Sequence, residues 1–162
     1  MIDEASLYVK QLAWLQAVPN APEPKGRAAP KIKAEKQMSR LERMDLQGLP
    51  LPLPPAGPAA YLTQYLFDAG PACYGAMGPV PLSHLELAAW QSNSGIELAA
   101  WEAQALRRLS GDYVAASQAA QAPDCPPYWI DAATVADQRP ALADAARSIF
   151  GGRAKPAQGA QP

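Results

Sequence analysis

The sequence predicts an all-α fold: a small helical domain built on a helical hairpin, with further helices and proline-rich linkers around it. Three observations point there. Ser83-His84-Leu85-Glu86 has the spacing of a capping box, in which the serine hydroxyl and the glutamate carboxylate each satisfy a backbone N–H of a helix's first turn. Trp101, Ala105, Leu106, Leu109, Tyr113, Ala116 and Ala120 recur at steps of three to five residues and lay an apolar stripe along a second, longer helix. The eighteen prolines and eleven glycines are concentrated outside this stretch, so linkers and helices divide the chain between them.

Taken in order, the first helix is expected over about 3–17, with Asp3 as N-cap, Glu4 at the positive end of the dipole, and Leu7, Trp14 and Leu15 on one face. Pro19 stops it. PNAPEPKGRAAP follows, with four prolines and no bulky apolar residue, and reads as a linker. A helix over about 32–46 lines up Ile32, Met38, Leu41 and Met44. LPLPLPPAGP then alternates leucine with proline, which excludes helix and central strand alike and favours polyproline II. Pro58 suits the first position of a helix over about 58–68, whose Tyr61, Leu62, Tyr65 and Leu66 share an apolar face. Prolines and glycines make 70–81 a loop.

The helical hairpin itself spans about 83–94 and 99–121. Ser92-Asn93-Ser94-Gly95 closes its first helix, because the three side chains compete for backbone hydrogen bonds and glycine suits a left-handed C-cap. Trp90 and Trp101 are the expected anchors by which its two helices pack on each other. A last helix, over about 131–149, is interrupted at Pro140 and followed by a tail with nothing to bury. Three segments result: 1–48, with the first helix, a linker and a basic helix; 49–130, the core helical domain; and 131–162, a C-terminal helix and tail.

Composition narrows the function. The 49% apolar fraction is inflated by alanine, and Phe67 and Phe150 are the only phenylalanines, so the core is small and relies on Trp, Tyr and Leu. A formal net charge of -1 is not that of a dedicated nucleic-acid binder. Two cysteines, Cys73 and Cys125, and one histidine cannot supply the four close-paired ligands of a structural zinc site, and two reduced thiols are expected. The acidic opening MIDEASLYVKQLAWLQAVP argues against a secretory signal, and no run reaches the length of about 20 apolar residues that a membrane helix needs.

No residue pattern points to catalysis. His84 and Glu86 lie two apart, on different faces of a helix, and nothing fixes Glu97, Glu102 or Asp112 in a shared apolar cleft. The glycines at 70, 75 and 78 follow no strand and make no phosphate loop. A helix-turn-helix reading of 83–110 fails at its recognition helix, which opens Ala99, Ala100, Trp101, Glu102, Ala103. No catalytic, cofactor or metal site is expected, and the chain is not expected to be an enzyme. Seven of the fourteen cations fall within 25–43, and Lys31, Lys33, Lys36, Arg40 and Arg43 are a candidate anion-binding set for which a solvated helix face is the plainer account. The candidate protein-binding residues are Trp90, Trp101, Tyr113, Tyr128 and Trp129.

One pattern goes further: Leu-Glu-x-x-x-Trp, then Gly-Ile-x-Leu-x-x-Trp-Glu, then Leu-x-x-Leu-Ser-x-x-Tyr, followed by Cys-Pro-Pro-Tyr-Trp. Leu85, Glu86, Trp90, Gly95, Ile96, Leu98, Trp101, Glu102, Leu106, Leu109, Ser110 and Tyr113 carry it. It resembles small proteins encoded near the tape-measure gene of long-tailed, lambda-like bacteriophages (siphoviruses), and the resemblance covers about 49–129. It implies a non-enzymatic tail assembly chaperone of the host bacterial cytoplasm, without a cofactor, that binds the tape-measure protein and assists polymerisation of the tail-tube protein. A minor structural protein of the tail is the alternative. An accessory phage protein binding DNA or a host protein through 25–43 is the third reading. The basic, proline-rich N-terminal third lies outside the pattern.

Overall fold

The computed structural model describes residues 2–20, 37–55 and 57–131. Contacts divide the chain into two units, Met1–Trp129 and Ile130–Pro162, and of the second only Ile130 and Asp131 are described. Among the described residues run α1 (Ile2–Gln16), α2 (Arg40–Leu46), α3 (Ala60–Ala69), β1 (Cys73–Gly75), β2 (Gly78–Val80), α4 (His84–Ser94) and α5 (Ala100–Ala119). The fold is mostly helical, as expected, but not all-α.

The strands correct the loop expected over 70–81. β1 pairs antiparallel with β2, Cys73 opposite Val80 and Gly75 opposite Gly78, around a turn at Ala76-Met77. Gly78 leaves that turn with φ at 119°, a value that L side chains rarely adopt. Strands of three residues are too short to show alternation, and Pro79 is tolerated because a two-stranded ribbon has only edges.

The expected 32–46 helix is also shorter where it is described. Ser39 starts α2 with its own capping box: the Glu42 N–H donates to Ser39 Oγ at 3.1 Å, and the Ser39 N–H donates to Glu42 Oε2 at 2.8 Å. Residues 32–36, like nearly all of the expected 131–149 helix, lie outside the described residues.

The core is where the two ends of the first unit meet. Ala5 and Val9 of α1, Leu62 and Leu66 of α3, Leu82, Leu87 of α4, and Ala105, Leu106 and Leu109 of α5 are buried together. α1 and α5 are the principal pair and run in the same direction, since Asp3 meets Arg108 at 2.8 Å, the Ser6 hydroxyl donates to Asp112, and the Asn20 N–H donates to the Gln121 carbonyl at 2.8 Å. Small residues make this possible. Ala5, Ser6, Val9 and Ala13 are buried on α1, and α5 offers the small buried residues Ala105 and Ala116, so the two backbones pack closely, and Lys10 adds an ion pair to Asp112 at 3.4 Å. The 1–48 and 49–130 segments of the sequence reading are therefore joined: α1 is part of the same core.

The tryptophans do not anchor α4 on α5. Trp90 turns to α3, with its ring centroid 5.4 Å from that of Tyr65 and its Nε1–H donating to Asp68 Oδ2 at 2.8 Å. Trp101 is 46% exposed. Leucines take the buried places instead, because a leucine fits wholly within a thin helical layer while an indole must keep its N–H near a polar partner.

Candidate docking surface

Ser110 is fully buried in the middle of α5 and determines where the β-hairpin stands. A serine inside a helix commonly bonds back to its own helix. This one reaches outward: its hydroxyl donates to the Pro71 carbonyl at 2.8 Å and accepts the Leu82 N–H at 2.8 Å, which pins the two stems of the β-hairpin to α5. The tip beyond those stems is apolar and in solvent. Tyr74 is 90% exposed and Met77 entirely so. Large apolar side chains gathered at a rigidly rooted projection are the usual mark of an interaction surface.

Beside the β-hairpin lies a cleft of about 500 Å³. Tyr74 and Pro79 form one wall, Gln16 and Val18 at the end of α1 another, and Tyr113 and Gln121 the α5 side; no lining residue carries a charge. The Tyr113 hydroxyl donates to Gln16 Oε1 at 2.8 Å, and its ring meets Phe67 edge-on at 5.9 Å. Burial pushes the Tyr113 phenol above its usual range, only partly offset by a hydrogen bond to Ser117, so it stays neutral at physiological pH. Two phenol rings and several amides without charge suit an extended, uncharged peptide: rings take apolar side chains, and amides answer the peptide's own N–H and C=O groups. The volume falls within the range of ligand sites, roughly 300–1,000 Å³.

The predicted aromatic residues do not converge on one site. Tyr113 lies in the cleft. Trp90 packs on α3, and Trp101 stands exposed at the start of α5. Tyr128 and Trp129 belong to the Cys-Pro-Pro-Tyr-Trp segment, which is bound to α1: the Trp129 N–H donates to Gln11 Oε1 at 3.0 Å, and Trp14 Nε1–H donates to the Cys125 carbonyl at 2.9 Å. Tyr128 remains at the exposed border and Trp129 is half-buried.

The candidate anion-binding set is not assembled among the described residues. Arg40 is buried, with its guanidinium 4.6 Å above the Trp14 ring, and it donates to the carbonyls of Ala120 at 2.7 Å, Ala122 at 3.0 Å and Trp14 at 3.3 Å. It caps the last turn of α5, where helix carbonyls have no partner of their own and favour a cation. Burial pulls its pKa down, yet a guanidinium remains charged at neutral pH. Arg43 is exposed on α2, while Lys31, Lys33 and Lys36 lie outside the described residues.

Two residues that organise this surface were not singled out for it. Gln11 is fully buried, and besides accepting from Trp129 it donates from Nε2 to the Pro52 carbonyl at 2.9 Å. One amide thus holds both proline-broken segments on α1. The available signal was a glutamine among the apolar positions of an amphipathic helix, just as Ser110 sits between Leu106, Leu109 and Tyr113 of the α5 stripe.

With this geometry in place, comparison of the chain with protein-family models, curated proteins and solved structures finds no match. Among the described residues no three His, Cys, Asp or Glu side chains are grouped to hold a metal ion, and no helix is long and apolar enough to cross a membrane.

Proposed function

We propose that the chain is a non-enzymatic, protein-binding chaperone of phage tail assembly, which holds an extended segment of the tape-measure protein while tail-tube subunits gather. The observation that carries this reading is the uncharged cleft beside a firmly rooted β-hairpin with Tyr74 and Met77 at its exposed tip. Such a surface grips apolar and backbone groups without demanding a particular charge pattern, and methionine adapts to varied partners. The resemblance of 49–129 to tail-region proteins supplies the identity of the partner. The same β-hairpin would serve a minor structural protein of the tail if the contact were permanent. The DNA-associated reading is weakened by Arg40, whose guanidinium is engaged within the fold.

Co-expression with the tape-measure protein tests the proposal. The soluble yield of that protein is expected to rise with the intact chain and to fall with a Tyr74→Ser, Met77→Ser double variant, whose own thermal stability should be unchanged because both side chains are in solvent. Equal yields with variant and parent would remove the cleft and hairpin from the mechanism. Presence of the chain in purified virions at a constant copy number would favour the structural role.

A further inference from the structure

Asp68 stands in the last turn of α3, a helix with no basic residue at that end. The carbonyl end of a helix is already negative, so a carboxylate there opposes the dipole and calls for a cation. Among the described residues the ion pairs are Lys10 with Asp112 and Arg108 with Asp3, and neither reaches Asp68. The hydrogen bond that Asp68 accepts comes from an aromatic side chain. Asp68 Oδ2 accepts the Trp90 indole N–H at 2.8 Å, Trp90 meets Tyr65 at 5.4 Å with their planes at 51°, and Tyr65 meets Tyr61 edge-on at 5.6 Å. Glu86 lies four residues before Trp90 on α4 and so shares its face. The Cys73 thiol beside it, then the Ser83 backbone and hydroxyl, hold its carboxyl below the usual range, so it is ionised.

Five cations lie among the described residues. Four of those cations are engaged elsewhere: Lys10 and Arg108 in the ion pairs above, Arg40 on Trp14, and Arg107 donating to His84 Nε2 at 2.9 Å and to the Leu82 carbonyl at 3.4 Å.

We propose that Trp90, Tyr65 and Asp68, with Glu86 beside them, form a docking face for an arginine-bearing segment of a partner protein. A guanidinium matches the site in both of its properties. Its flat face stacks on the indole, and its fork of N–H donors reaches the carboxylate, whereas an ammonium offers a point charge without the stacking plane. The carboxylates repel nucleic acid, which leaves a peptide as the source of the cation. The face shares no residue with the cleft and stands independently of the function proposed above.

The test uses the full chain and a short peptide of alanine and arginine, compared with the same peptide carrying citrulline, which keeps the shape of arginine and removes its charge. A lysine counterpart is the third ligand. Binding is read from the indole N–H resonance of Trp90, assigned with Trp90→Phe. The arginine peptide is expected to shift that resonance, the citrulline peptide to leave it in place, and the lysine peptide to bind more weakly. Asp68→Asn keeps an acceptor for the indole N–H and removes only the charge, so it should weaken arginine-peptide binding about tenfold while thermal stability is kept or slightly raised. Equal binding of the citrulline peptide, or unaltered binding by Asp68→Asn, would overturn the proposal, and equal binding of the lysine peptide would overturn the choice of arginine. Self-association of the chain that Asp68→Asn abolishes would assign the face to a second copy and so overturn a separate partner.

Discussion

Cys73 shows how one neighbour sets the chemistry of a side chain. The Glu86 carboxylate beside it, more than burial, pushes its thiol up to about 11 from an ordinary 9.0. At pH 8 its thiolate is therefore scarcer by about a hundredfold. Alkylation by iodoacetamide, followed by mass spectrometry, should modify Cys73 far more slowly than an ordinary thiol, and Glu86→Gln should quicken it. Because the folded pKa is raised, the linked stability is fully present below pH 9 and is lost as pH rises through about 11. The tryptophan on α5 and the leucine below it separate surface from core. Trp101→Ala should change stability by less than about 1 kcal/mol, while Leu106→Ala, at a fully buried position, should cost about 2–5 kcal/mol; urea denaturation measures both. The abundance of tryptophan made it look like the core, yet aromatic rings with a polar edge came to rest at the border.

At the scale of elements, local signals were legible and partnerships were not. The Ser83 capping box and the left-handed Gly95, with φ at 71°, end α4 where the spacing indicates. The α5 stripe holds too, for Ala105, Leu106, Leu109, Ala116 and Ala120 are all buried. Ser39-Arg40-Leu41-Glu42 carries the same capping spacing, but helix-competent residues before it concealed the start of α2. The β-hairpin was hidden because its pairing depends on Ser110, 28 residues from Leu82 and 39 from Pro71, and not on a pattern within the strands. Ser110→Ala should leave both backbone groups without a partner and cost about 1–3 kcal/mol, with faster amide exchange from Cys73 to Val80. Arg40→Met keeps the contact with Trp14 and removes the cap on α5, so it should cost roughly 2–4 kcal/mol and fray the last turn of that helix in exchange measurements. Neighbourhood in the chain suggested that α5 would pair first with α4. Its main partner is α1, because a face of small residues can meet another such face from any distance in the sequence.

For the whole molecule, the parallel pairing of α1 with α5 has a temporal meaning. Ser6 and Asp112 are separated by 106 residues, so the first helix made is among the last to be covered. At a synthesis rate of about 5–20 residues per second, α1 waits on the order of 5–20 s for α5 to appear. The Gln11 amide can meet Pro52 well before α5 is made, but Trp129 reaches it only after α5. Refolding should be correspondingly slow for a helical protein, in milliseconds to seconds by stopped-flow fluorescence of Trp14, where helical bundles rich in local contacts fold in microseconds to milliseconds. Completion within microseconds would contradict that expectation. The nascent chain thus spends much of its synthesis with its first helix bare, and the core closes only when α5 arrives.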